Sequence, residues 1–124
     1  GSSSVPQDLL AVINKCGGNI PATYGVPVEQ ILVGIKHGVR KVNIDTDLRL
    51  AATAAIRSYL TDNPSAFDPR KYLQASIDAM QKICEARLSA FGASGHANKI
   101  KALSFSHMVS FYEHSHAYTE SVGV

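Results

Sequence analysis

The chain has 124 residues, 45% of them hydrophobic and 18% charged, with a formal net charge of +2 and no tryptophan. That length allows one domain with a real core, and the small positive charge argues against nucleic acid or an anionic membrane as partner. No apolar run approaches the roughly 20 residues that span a bilayer, and the start, Gly1-Ser2-Ser3-Ser4, has neither a methionine nor a signal-peptide apolar stretch.

In chain order, Ser4-Val5-Pro6-Gln7 reads as a capping box, a serine cap with a glutamine three residues later to satisfy free N–H groups. Leu9, Leu10, Val12 and Ile13 give the following short helix one apolar side, and Gly17-Gly18 stop it. Asn19 to Pro27 is a connecting loop. Pro27 suits the first turn of a second helix. That helix places Val28, Ile31, Leu32 and Ile35 at helical spacing and ends near Gly38. Arg40 to Ile44 reads as a strand. From Asp47 to Leu60 the helical pattern returns, with Leu48, Ala52, Ile56 and Tyr59 on one face, and Asn63-Pro64 breaks it. A further helix is expected from about Pro69 to Phe91, its apolar stripe being Leu73, Ile77, Met80, Cys84, Leu88 and Phe91. Gly92 to Lys99 is a loop, Leu103 to Tyr112 form a last short helix, and His114 to Val124 frays.

One strand among four or five helices leaves its ladder groups without partners, so it must join a sheet whose other strands lie elsewhere. The order helix, strand, helix with short connections is that of an α/β protein. The parallel neighbours of Arg40–Ile44 would lie outside these 124 residues, which makes the chain one part of a larger domain and its glycine start a truncation. Cys16 and Cys84 lie far apart in no metal-binding spacing, and read as two buried free thiols of a reducing, cytoplasmic compartment rather than as a disulfide.

In α/β sheets, function collects at the C-terminal ends of strands, where loops feed into helix N-termini. Asn43-Ile44-Asp45-Thr46-Asp47 sits at that point. The helix start would present free N–H groups and a positive dipole end, a setting for phosphate with the Thr46 hydroxyl and backbone amides as donors. A carboxylate repels phosphate, so Asp45 must face something else, and a sugar hydroxyl is the obvious partner. The alternative is that Asp45, Thr46 and Asp47 merely cap the helix.

The run from Tyr24 to Leu73, YGVPVEQILVGIKHGVRKVNIDTDLRLAATAAIRSYLTDNPSAFDPRKYL, closely resembles the C-terminal part of class II, metal-dependent fructose-1,6-bisphosphate aldolases. The resemblance extends from GSSSVP at the start through AFGASGHANKIKAL, about residues 1 to 104, and is nearest to the branch with NxDTDxR followed by FDPRKYL. The remaining residues, 105–124, with a short helix and the tail YEHSHAYTESVGV, match nothing that can be carried over.

The resemblance implies an α/β fold, the C-terminal part of a TIM (β/α)8 barrel. The chain would supply the loop after the seventh strand, its helix, the eighth strand at Lys41 to Ile44, its helix and a C-terminal helical extension. Phosphate-binding loops of such barrels commonly follow strands seven and eight, here Gly1-Ser2-Ser3 and Asn43-Ile44-Asp45-Thr46. By position, Gly1 and Ser3 would bind the phosphate of dihydroxyacetone phosphate through backbone amide and hydroxyl, their carbonyls helping to hold a monovalent cation. Thr46 and the amides around Asp45 would complete that cradle. Asn43 would touch the substrate near the reacting carbon, and Asp45 would bond a sugar hydroxyl. Arg49 resembles a residue that meets the second phosphate, and Arg70 one that reaches it from a neighbouring subunit of a homodimer or homotetramer. Guanidinium forks suit phosphate geometry. Read without the resemblance, Arg49 is an ordinary exposed helix residue and Arg70 a first-turn residue.

The family's reaction needs a divalent metal, normally Zn2+, held by three histidines, and an acid/base aspartate. The resemblance places all four upstream of Gly1, so no catalytic residue and no zinc ligand is expected in this chain, which alone should be inactive. His37, His96 and His107 are isolated, and only His114 and His116 form a close pair, an H-x-H able to bind metal weakly without a third ligand. Two alternatives stay open: a sibling aldolase for tagatose 1,6-bisphosphate or a related ketose, and a free-standing, non-catalytic phosphate-binding or interaction module derived from an aldolase. Glycolysis, gluconeogenesis and carbon fixation are not distinguished by the sequence, and an organelle stroma is the alternative to the cytoplasm in a eukaryote.

Overall fold

The computed structural model describes the backbone of residues 2–122 and side chains through residue 113. Two compact units result, Gly1–Ser94 and Gly95–Val124. The first contains four helices: α1 (Gln7–Lys15), α2 (Val28–Lys36), α3 (Thr46–Asp62) and α4 (Pro69–Ala90). The second contains a single 3₁₀ turn, Ala97–Lys99, and α5 (Phe105–Val122), which continues well past the expected end at Tyr112.

Helix ends follow local chemistry. At the end of α1, Gly17 takes φ +79° and Gly18 N donates to Ile13 O at 2.8 Å. The end of α2 repeats this, with Gly38 at φ +110° and Val39 N donating to Gly34 O at 3.0 Å. Both are Schellman closures, in which a left-handed residue lets the next amide satisfy an orphan carbonyl; glycine does this without a Cβ penalty. α4 starts as its sequence requires: Asp68 accepts from Arg70 N at 3.0 Å, and Pro69 occupies the first helical position. The expected capping box at α1 is absent. Pro6 holds the N-cap position, Ser4 is drawn away to Asp47, and Gln7 Nε2 donates instead to Val5 O and Thr23 O.

α3 is the central element and packs against both α1 and α4. Its buried face is Asp47, Leu50, Ala51 and Ala54, which recur at helical spacing. Leu50 and Ala54 join Val5, Leu10 and Ile13 in the core, with Leu9, Val12 and Ile20 packed around them. The face expected from Leu48, Ala52, Ile56 and Tyr59 is only half-buried. On α4 the buried position is Ser76, whereas Leu73, Ile77, Cys84 and Leu88 of the expected stripe are exposed. Small side chains, Ala51 on α3 and Ser76 on α4, are among those buried on these two helices. Both cysteines are free, but neither is buried.

Arg40–Ile44 does not form a strand, and no strand occurs among the described residues. A ladder needs a neighbouring extended chain, and among the described residues the segment's backbone receives one bond, from Ser2 N to Asn43 O at 2.8 Å. Strand-like alternation of side chains nevertheless persists. Val42 and Ile44 are half-buried, lining an apolar groove of about 270 Å³ with Leu48, Ile83, Leu88 and Phe91, while Lys41, Asn43 and Asp45 are exposed.

Candidate phosphate-binding site

The chain start lies against the residues that lead into α3. Beyond the Ser2–Asn43 bond, Ser3 Oγ accepts from Asp45 N at 3.1 Å and from Thr46 N at 3.0 Å. Two amides at a helix N-terminus thus converge on one oxygen, the arrangement that holds a phosphate oxygen at such ends. Because the hydroxyl oxygen takes both amides, its own O–H is left to donate outward, and acceptance of those bonds strengthens it as a donor. Ser3 O in turn accepts from Val26 N at 3.0 Å. Gly25 passes so close beneath this turn that an added Cβ would overlap Ser3 O and come within 2.8 Å of Ser4 C. Ser2, Ser3, Asn43, Ile44, Asp45 and Thr46 are therefore brought together across some forty residues of sequence, while Gly1 lies outside the described residues.

Arg49 forks onto Asp45, with Nε to Oδ1 at 3.0 Å and Nη2 to Oδ2 at 2.9 Å. Both side chains are exposed, and such an i,i+4 pair contributes little. A ligand can therefore separate them at small cost, freeing the carboxylate for a hydroxyl and the guanidinium for a phosphate. Arg70 stands elsewhere. It makes the same kind of fork onto Asp68, with Nη2 to Oδ2 at 2.7 Å, and its side chain is 88% exposed. The Arg70 guanidinium holds the Asp68 carboxyl below its ordinary value, and Asp68 in turn raises Arg70. α3 has 17 residues, roughly 25 Å at about 1.5 Å per residue. Arg70 begins the helix that turns back after α3, so it sits at the end remote from Thr46 and does not reach the site formed by its own chain.

Asp47 departs furthest from the sequence expectation, which gave it the minor role of a cap. Its side chain is 0% exposed. Oδ1 accepts from Val5 N at 2.8 Å, and Oδ2 accepts from Ser4 N at 3.0 Å, Ser4 Oγ at 2.8 Å and Arg87 Nη2 at 3.1 Å. Arg87 Nη2 also donates to Ser4 Oγ at 2.8 Å. Burial alone would raise the Asp47 pKa. The amides of Ser4 and Val5, then the Ser4 hydroxyl and Arg87, outweigh it and hold the carboxyl below the ordinary 3.8. Val5 has φ +55°, a left-handed conformation that costs a β-branched residue on the order of 1–3 kcal/mol. Hydrogen bonds to a charged group, at about 1.5–3 kcal/mol each, are strong enough to hold it there. One polar atom in the cluster stays unmatched: Arg87 Nε is buried without a partner. The available signal was the spacing of Asp47 with Leu50, Ala51 and Ala54, and of Arg87 with Ser76 and Ile83. It places one acid and one base on the two facing sides of a helix pair.

No group of three His, Cys, Asp or Glu side chains able to hold a metal ion occurs among the described residues. His37 closes α2, and His96 Nδ1 lies 3.3 Å from Lys99 Nζ. The side chains of His114 and His116 lie outside the described residues. The described residues do not fit a divalent metal.

Residues 1–96 match the family model described as fructose-bisphosphate aldolase class-II. Among curated proteins, the chain is 63% identical over 112 residues to a fructose-bisphosphate aldolase of Pseudomonas aeruginosa, covering 90% of this chain and 32% of that protein. It is 64% identical over 104 residues to a fructose-bisphosphate aldolase of Nostoc, covering 84% and 29%. With a fructose-bisphosphate aldolase of Xanthobacter flavus the figures are 56% over 112 residues, 90% and 32%. The chain spans about a third of the length of these relatives. With the family match covering residues 1–96 of 124, the chain belongs to the class-II fructose-bisphosphate aldolase family.

Proposed function

We propose that this chain supplies the phosphate-holding end of a metal-dependent aldolase that reversibly cleaves fructose 1,6-bisphosphate to dihydroxyacetone phosphate and glyceraldehyde 3-phosphate. The observation that carries this is the convergence of the Asp45 and Thr46 amides on Ser3 Oγ at the N-terminus of α3. In the assembled enzyme Ser3 and Thr46 donate to one phosphate, with Gly1 and Ser2 beside them. Asn43 lies nearer the reacting carbon, and Asp45 turns from Arg49 to a sugar hydroxyl as Arg49 turns to the second phosphate. Arg70, remote from its own chain's site by roughly the length of α3, serves that phosphate in a neighbouring subunit of a homo-oligomer.

The metal, its three histidines and the acid/base aspartate belong to residues outside this chain. The same applies to the first seven strands of a TIM barrel, in which Lys41–Ile44 is the eighth strand. Its retained alternation of half-buried and exposed side chains matches the alternation of outward-facing and inward-facing residues along a barrel strand and supports that assignment. A monovalent cation at the Gly1 and Ser3 carbonyls is compatible with the single bond that Ser3 O accepts here. Fructose 1,6-bisphosphate cleavage by the full-length protein, followed by coupled triose-phosphate detection, tests the proposal. Cleavage should stop with a chelator and return with zinc, and the 124 residues alone should show none. Chelator-resistant cleavage, or turnover by the 124-residue chain with zinc, would refute it.

A further inference from the structure

We propose that Asp47, held by Arg87, is a positioning residue for the phosphate site: it clamps the Ser4–Val5 turn and so sets Ser3 Oγ on the amides of Asp45 and Thr46. This rests on the phosphate reading of the site given above. Asp47 and Thr46 are neighbours on one helix, but they act in opposite directions. Thr46 N meets Ser3 from the solvent side, while the Asp47 carboxylate reaches inward and takes both Ser4 N and Val5 N. The chain start is thus gripped at three consecutive residues by the first turn of α3.

Val5 could relax out of φ +55° if that grip loosened, and the relaxation would swing Ser3, two residues earlier, off the two amides. Arg87 closes the clamp from α4. It reaches Asp47 Oδ2 and Ser4 Oγ with the same nitrogen and leaves its buried Nε without a partner. Its geometry serves the placement of the Ser4 turn.

The clamp and a simple packing role make different predictions for Asp47→Asn in the full-length protein. The amide keeps the shape but carries only one acceptor oxygen. Placed toward the three donors at Oδ2, that oxygen leaves the NH2 facing Val5 N, so the strained residue is the one released. Steady-state cleavage of fructose 1,6-bisphosphate is measured with inorganic phosphate as competitive inhibitor, alongside zinc content and a thermal melt. The expected result is a rise of roughly tenfold in both KM and the phosphate inhibition constant, with kcat changed less than about threefold and zinc unchanged.

Arg87→Met should move both constants the same way by several-fold, and Arg87→Lys, which can still reach one carboxylate oxygen, should recover most of the loss. If Asp47→Asn does not fold, the Met and Lys pair together with Ser4→Ala, which removes a single hydroxyl, decides on the same readout. A phosphate inhibition constant within twofold of wild type in these folded variants overturns the clamp, as does a fall in kcat with both constants unchanged. A wild-type protein that neither cleaves the bisphosphate nor is inhibited by phosphate would instead remove the phosphate reading itself.

Discussion

Gly25→Ala isolates the close approach beneath the Ser3–Ser4 turn of the proposed phosphate site. No left-handed conformation is involved at Gly25, so the whole effect of the methyl group comes from contact. The new Cβ would overlap Ser3 O and sit 2.8 Å from Ser4 C. These are backbone atoms, which cannot rotate away as a side-chain tip would. Forcing them apart costs about 1–3 kcal/mol, by analogy with other overpacked sites. The Val26 N to Ser3 O bond is lost as well, at about 0.5–1.5 kcal/mol. If even half of the combined loss falls on the ligand-ready turn, binding weakens roughly tenfold, since about 1.4 kcal/mol is a factor of ten.

The assay is KM for fructose 1,6-bisphosphate and inhibition by inorganic phosphate in the full-length protein. Gly38→Ala serves as the comparison. Gly38 has φ +110° with nothing near its Cβ direction, so alanine there should lower the melting temperature through backbone strain and leave phosphate inhibition unchanged. A Gly25→Ala protein with KM within twofold of wild type would refute the link between this contact and the site.

Ile13 is 1% exposed in the core between α1 and α3, so Ile13→Ala should cost about 2–5 kcal/mol in urea unfolding. A cost under 1 kcal/mol would show that this core is not a stabilising one. The Asp47 carboxyl is depressed in the folded state, so its contribution to stability is fully present above the ordinary 3.8. It is lost as pH falls through the lower native value. Between 3.8 and that lower value, the stability of Asp47→Asn should therefore fall less steeply with pH than that of wild type, and identical slopes there would contradict the depressed value. Arg70 and Gly25 should complement each other between subunits. Mixing Arg70→Ala with Gly25→Val protein, each nearly inactive at low substrate, should restore about a quarter of wild-type activity, because half of randomly mixed dimers carry one intact site. No restoration would place Arg70 outside the neighbouring site.

What the sequence made legible follows the range of the interactions. The C-terminal ends of α1 and α2 and the start of α4 were readable because glycine and proline act within a few residues of themselves. The family was readable from the NIDTDLR and FDPRKY runs. The role of Asp47 was not, because its partners lie 40 or more residues away at Ser4, Val5 and Arg87. The same long-range draw removes Ser4 from the capping box expected at α1. The α4 stripe failed for another reason. Leu73, Ile77, Cys84 and Leu88 have the spacing of a core face, but the α4 side chains turned inward are the buried Ser76 and the Arg87 that reaches Asp47. Arg40–Ile44 shows both sides of the problem: its alternation is visible in sequence and structure, yet a ladder needs a neighbouring extended chain, and none pairs with it among the described residues.

Backbone amide NMR of the full-length protein, titrated with inorganic phosphate, reads the site most directly. The largest shifts should fall on Ser3, Asp45 and Thr46, saturate together, and be competed away by fructose 1,6-bisphosphate. Shifts centred on other residues, or none at these three amides at phosphate concentrations that inhibit cleavage, would contradict the placement of the phosphate at the start of α3.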